Sequence, residues 1–234
     1  MKSKFDEVLN KVIISFNSDN NVIGAVLYGS FAKGIYHSHS DIDLIVIATE
    51  TEHKMTCKII DKIPVQMLWL TAEMFKEKAA KEVRTKPIAK DFKVLIDKKN
   101  WIEEYIKSDQ VYNTWKAPIK IHDKLRLKKS IDFQLSISQL KGFKELGKNV
   151  EIEMFISEYT FLGLDLFYDK NGWFIESKKH ILDDVKNRSP KLAKLIFDTY
   201  NSNELEDKMS CYEEFYDFIM SCIDEPPREY SITL

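Results

Sequence analysis

Glycine and proline are scarce in this chain, at 7 and 6 residues in 234. So few chain breakers exclude collagen-like and low-complexity architectures and leave room for long helices. Cysteine is scarcer still. Cys57, Cys211 and Cys222 are odd in number, widely spaced and without metal-ligand spacing, which excludes a disulfide framework and reads as reduced thiols. No run approaches the ~20 apolar residues that a membrane-spanning helix needs. The start, MKSKFDEVLNKV, is charged and amphipathic with no apolar signal core behind it, so a cytoplasmic protein without a membrane partner is expected. Charge of one sign is also lacking: 35 Lys and Arg against 37 Asp and Glu give a net charge of −2. No global basic field is available for gripping nucleic acid, which is therefore not the expected partner.

What is present is an ordinary globular composition, 44% hydrophobic and 31% charged. Phe5, Val8, Leu9, Val12, Ile13 and Phe16 recur at helical spacing and predict an amphipathic first helix. Residues 22–28, 42–47, 55–60, 65–70 and 92–96 read as short β-rich strands, with a turn at residues 61–64 between the third and fourth. Thr71 is placed to cap a helix running to about Lys81. From about residue 101 the period changes to that of helices, over 101–108, 122–146, 151–167, 179–186, 190–200 and 204–223. The expected fold class is α+β. A mixed sheet with flanking helices fills residues 1–100, and an all-helical domain fills residues 101–234.

The segment from Leu27 to Leu44 carries the chemistry. A strand ends in Gly29-Ser30, a short helix follows, and a second strand opens with Asp41-Ile42-Asp43. Glycine lets the backbone approach a phosphate without a Cβ in the way. Serine adds a hydroxyl, and the unpaired N–H groups of a helix start favour an anion. Asp41 and Asp43 are two apart, so on a strand both carboxylates project from one face, a place for Mg²⁺ bridged to a nucleotide. Lys33, just behind the turn, is a candidate contact for a triphosphate.

Gly29-Ser30 followed by Asp41-x-Asp43, with strands on either side, resembles the signature of the DNA polymerase beta nucleotidyltransferase superfamily. The α/β half followed by helices is similar to its small-molecule branch, which modifies aminoglycoside and lincosamide antibiotics. The resemblance implies Mg²⁺ as cofactor and an NTP, with ATP expected, as co-substrate. It further implies transfer of a nucleoside monophosphate to a hydroxyl of a small acceptor. Asp41 and Asp43 would hold the metal and Gly29, Ser30 and Lys33 the nucleotide. Two-fold dimers occur among such relatives, so a homodimer is compatible with the resemblance.

One position departs from the family pattern. The superfamily supplies a third carboxylate from a later strand, and the aligned residue here is Gln66, which cannot accept a proton at neutral pH. Asp61 in the preceding turn, or Glu153 or Glu158 on a later helix, would be substitutes, and Glu158 is the chosen catalytic candidate. Two other readings stay open: a nucleotide-binding module that has lost catalysis, and a transferase acting on tRNA or within a toxin–antitoxin pair. His37 and His39 and the basic residues Lys81, Arg84, Lys86 and Lys90 read as solvated surface, while the lysines and Arg126 from Lys116 to Lys129 line a helix start that could touch RNA but lacks interleaved stacking aromatics.

Overall fold

A computed structural model describes residues 4–85 and 88–224, apart from the side chain of Ile88. The chain divides into two compact units, Met1–Val83 with Pro87–Lys116, and Arg84–Lys86 with Ala117–Leu234. Lys86, one of the basic residues considered above, lies outside the described residues.

The first unit is a five-stranded sheet with helices against both faces. Its strands are β1 (Val22–Tyr28), β2 (Ile42–Ala48), β3 (Lys54–Ile60), β4 (Ile63–Leu70) and β5 (Lys93–Asp97). Their order is β3-β4-β2-β1-β5; β2 and β4 run parallel and the other neighbours antiparallel. The central strands β1 and β2 are buried on both faces, which is why both read as continuous apolar runs rather than alternating ones.

Alternation along β2 sorts the two cores. Ile42, Leu44 and Val46 join Val8, Val12 and Phe16 of α1 (Lys4–Ser18) on one face. Ile45 and Ile47 join Phe75 of α3 (Ala72–Ala79), Ile102 of α4 (Ile102–Ile106) and Val111 of α5 (Asp109–Asn113) on the other. Thr71 caps α3 as expected, its hydroxyl accepting from the Met74 N–H at 3.3 Å. A short α2 (Gly29–Lys33) follows β1, and a 3-10 turn spans Ile88–Asp91.

The turn expected at residues 61–64 is tighter in the structure. Pro64 already belongs to β4, and Asp61 and Lys62 alone reverse the chain, with φ of 50° and 68°. That left-handed pair matches the twist of a two-residue hairpin, which Asn and Gly usually supply. Neither is present here, so the sequence signal for the short turn was missing.

The second unit contains α6 (Asp123–Glu145), α7 (Asn149–Asn171), α8 (Ile181–Arg188), α9 (Pro190–Asn201) and α10 (Leu205–Cys222). Gly172 ends α7 in the left-handed conformation and Pro190 opens α9, the asymmetry expected of helix termini. Phe133, Leu140, Ile156, Leu164, Tyr212 and Phe215 form its core. Among the described residues no helix is long and apolar enough to cross a membrane.

Candidate functional site

Four neighbouring strands bring the acidic pair together with Gln66, as the resemblance implies, and with Tyr28 and Cys57, which the sequence did not connect to it. Tyr28 on β1 is paired with Asp43 on β2, Asp43 with Gln66 on β4, and Gln66 with Cys57 on β3. Residues directly opposite in a ladder face the same side, so these four form a row across the sheet. Asp41, two residues before Asp43, shares that face. Ile42 between them is completely buried on the other, which fixes the outward aim of both carboxylates.

Gly29 explains why a carboxylate fits at Asp43. The glycine has φ of 76°, and a Cβ built on it would lie 2.1 Å from Asp43 Oδ2. The Asp43 carboxylate therefore occupies the space that any side chain at residue 29 would fill. Behind it, α2 turns back at Gly34, and the Ile35 N–H reaches the Ser30 carbonyl at 3.1 Å. Ser40 closes the loop that follows: its buried hydroxyl accepts from the His37 N–H at 3.0 Å, delivering the chain to Asp41.

Gln66 is engaged with the pair. Its Nε2 donates to Asp41 Oδ2 at 2.6 Å. Only the amide N–H₂ can donate to an ionised carboxylate, so the hydrogen bond also sets the orientation of the amide. Tyr28 was not singled out from sequence, although its place at the end of β1 opposite Asp43 was the available signal. Burial first, and then the charges of Asp43 and Asp41, push its phenol up to about 12. The tyrosine therefore stays neutral beside two carboxylates.

The donor set suits one hard divalent cation. Mg²⁺ is commonly held by one or two carboxylates, with phosphate oxygens and water completing the octahedron. Asp41 and Asp43 supply that number, and the half-buried Gly29 turn lies beside them without a Cβ. Among the described residues no group of three or more His, Cys, Asp or Glu side chains is placed to hold a metal. The arrangement is thus two carboxylates braced by an amide.

The other sequence candidates lie elsewhere. Lys33 ends α2 and pairs with Asp91 at 3.1 Å. His37 and His39 are exposed, and His37 Nδ1 already accepts from the His39 N–H at 3.1 Å. Asp61, at the hairpin tip, is held by Lys11 of α1 at 2.5 Å. Glu153 pairs with Lys208 at 2.7 Å. Glu158 lies exposed on α7 in the second unit, beside Tyr159, whose phenol is raised by burial and then by Asp132 and Glu158. Arg84 is not solvated surface as expected: together with Arg126 it binds the buried Asp169 in the second unit.

The first unit thus contains a strand–turn–strand with paired carboxylates on one face and a Cβ-free turn beside them. Residues 10–100 match the family model described as Polymerase beta, Nucleotidyltransferase. This match supports a nucleotidyltransferase domain in the first unit. No curated protein matches the chain. Among solved structures it is similar to a nucleotidyltransferase-like protein from Exiguobacterium sibiricum 255-15, with 11% identity and a TM-score of 0.46. That likeness covers 92% of this chain and 74% of the other.

Proposed function

We propose that the protein is a Mg²⁺-dependent nucleotidyltransferase that moves a nucleoside monophosphate from an NTP, with ATP as donor, to a hydroxyl of a small acceptor. The observation that carries this reading is the fit of Asp43 against Gly29, with Asp41 on the same face. Asp41 and Asp43 would hold the cation, which neutralises phosphate charge and helps the pyrophosphate leave. The half-buried backbone of Gly29 and Ser30 would carry the triphosphate. Lys33 would reach the phosphates only by exchanging its contact with Asp91. An aminoglycoside-like acceptor is the choice favoured by the resemblance. Glu158 is the proposed base.

Gln66 favours a second reading, in which the domain binds nucleotide without transferring it. Its amide braces Asp41 but takes no proton from an acceptor. Thermal-shift titration with the four NTPs, with and without Mg²⁺, separates these readings from a third in which the site is inert. A Mg²⁺-dependent rise with ATP is expected, and its loss in the double variant Asp41→Asn, Asp43→Asn with an unchanged ligand-free melt. Pyrophosphate release with an amino-sugar panel then marks the transferase. ATP binding with no release under any acceptor marks the binding module, and an equal rise in the double variant removes the site assignment.

A further inference from the structure

A cavity lined only by residues of the helical unit is independent of the nucleotide reading. Its volume is about 400 Å³, within the range of cavities that hold small organic ligands. Phe161 and Leu164 of α7, Leu182 of α8 and Ile196 and Phe197 of α9 form its walls. Leu182 is 52% and Phe197 65% exposed at its mouth, an unusual concentration of large apolar side chains facing water.

The polar residues of the lining are Ser157, Thr160, Tyr200, Asn201 and Lys178. The Thr160 hydroxyl donates to the Ile156 carbonyl at 2.7 Å, and the Asn201 amide to the Phe197 carbonyl at 2.7 Å, so both are bound within their own helices. Lys178 is the single charged residue of the lining. Its ammonium lies over the Phe161 ring, 4.7 Å from the centroid. Among the described residues no carboxylate forms an ion pair with it. An apolar chamber with one cation at its rim complements a ligand with an apolar body and one negative charge.

We propose that this cavity binds a hydrophobic carboxylate, with the hydrocarbon body among Phe161, Leu164, Ile196 and Phe197 and the carboxylate on Lys178. The test is calorimetric titration of the full chain with octanoate and, as the uncharged match, 1-octanol. Saturable octanoate binding is expected. Lys178→Met should weaken octanoate roughly tenfold while changing 1-octanol by less than about twofold, because only the charge-assisted hydrogen bond is removed. Ser157→Trp, at the half-buried rim of α7, should abolish binding of both without altering the melt. The proposal is overturned if octanoate shows no saturable binding at millimolar concentration, or if Lys178→Met affects both ligands alike. Binding untouched in a folded Ser157→Trp protein overturns it as well.

Discussion

Gly29 and Asp43 compete for one volume, and glycine is the residue that yields it. An alanine at position 29 would need both a left-handed backbone and a Cβ 2.1 Å from the Asp43 carboxylate. The backbone conformation alone costs ~1–2 kcal/mol for a residue with a Cβ. Gly29→Ala is therefore expected to lower stability by at least that amount and to remove Mg²⁺-dependent nucleotide binding, read by urea denaturation and by NTP thermal shift. Gln66 permits a prediction of opposite sign in the two ligation states. Gln66→Glu places a third carboxylate against Asp41 in place of the 2.6 Å amide bond. Like charges repel without a cation and share one when it is present. The variant should melt below the wild type in EDTA and gain more from added Mg²⁺ than the wild type does. A Mg²⁺ response no larger than that of the wild type would show that residue 66 does not face the cation. At this scale the sequence displayed Gly29, Asp41 and Asp43 but not their contacts. The Gln66–Asp41 bond depends on register between strands 25 residues apart in sequence, and no local pattern encodes it.

The helices of the second unit approach closely where Gly163 on α7 faces α6 and α10. A Cβ there would lie 2.8 Å from Phe133 and 3.0 Å from Phe215, two rings buried with no room to turn aside. Gly163→Ala is helix-favouring by propensity, yet overpacking a filled core typically costs ~1–3 kcal/mol. Net destabilisation is expected, measurable as a lower urea midpoint. Elements were largely legible: the apolar β-branched runs at residues 22–28 and 42–47 became β1 and β2, and Pro190 marked the start of α9. The strand order β3-β4-β2-β1-β5 was not, because pairing of β2 with β4 skips a hairpin and depends on nonlocal packing. The helix expected over residues 101–108 is α4, and the short α5 that follows Ser108 was not anticipated.

At the scale of the whole molecule, one buried carboxylate sets a dependence on acid. Asp169 accepts from Arg84 at 2.5 Å, from the Ile121 N–H at 2.7 Å and from Arg126 at 2.8 Å. Burial pushes its pKa up, but the Ile121 N–H and the two guanidinium groups outweigh burial and hold it below the ordinary 3.8. A carboxyl depressed on folding contributes stability that is complete above its unfolded value and is lost as pH falls through the folded one. Wild-type stability should therefore decline below about pH 4, and that part of the decline should be absent in Asp169→Asn. That variant should also be destabilised at neutral pH by roughly 1–3 kcal/mol, because Arg84 and Arg126 each lose one partner while keeping Asp165 and Asp123. Urea midpoints across pH 3–7 check both. Arg84 looked like part of a solvated basic run in sequence, since its partners Asp165 and Asp169 stand more than 80 positions away.

Arg84 also bears on gene fission. It belongs to the second unit, yet it is encoded between Val83 and Pro87 of the first. A cut after Lys116 yields a downstream polypeptide in which Asp165 and Asp169 are deprived of a cation that only the upstream polypeptide carries. The downstream half is consequently expected to be less stable alone than within the full chain, read as a lower urea midpoint of the isolated fragment.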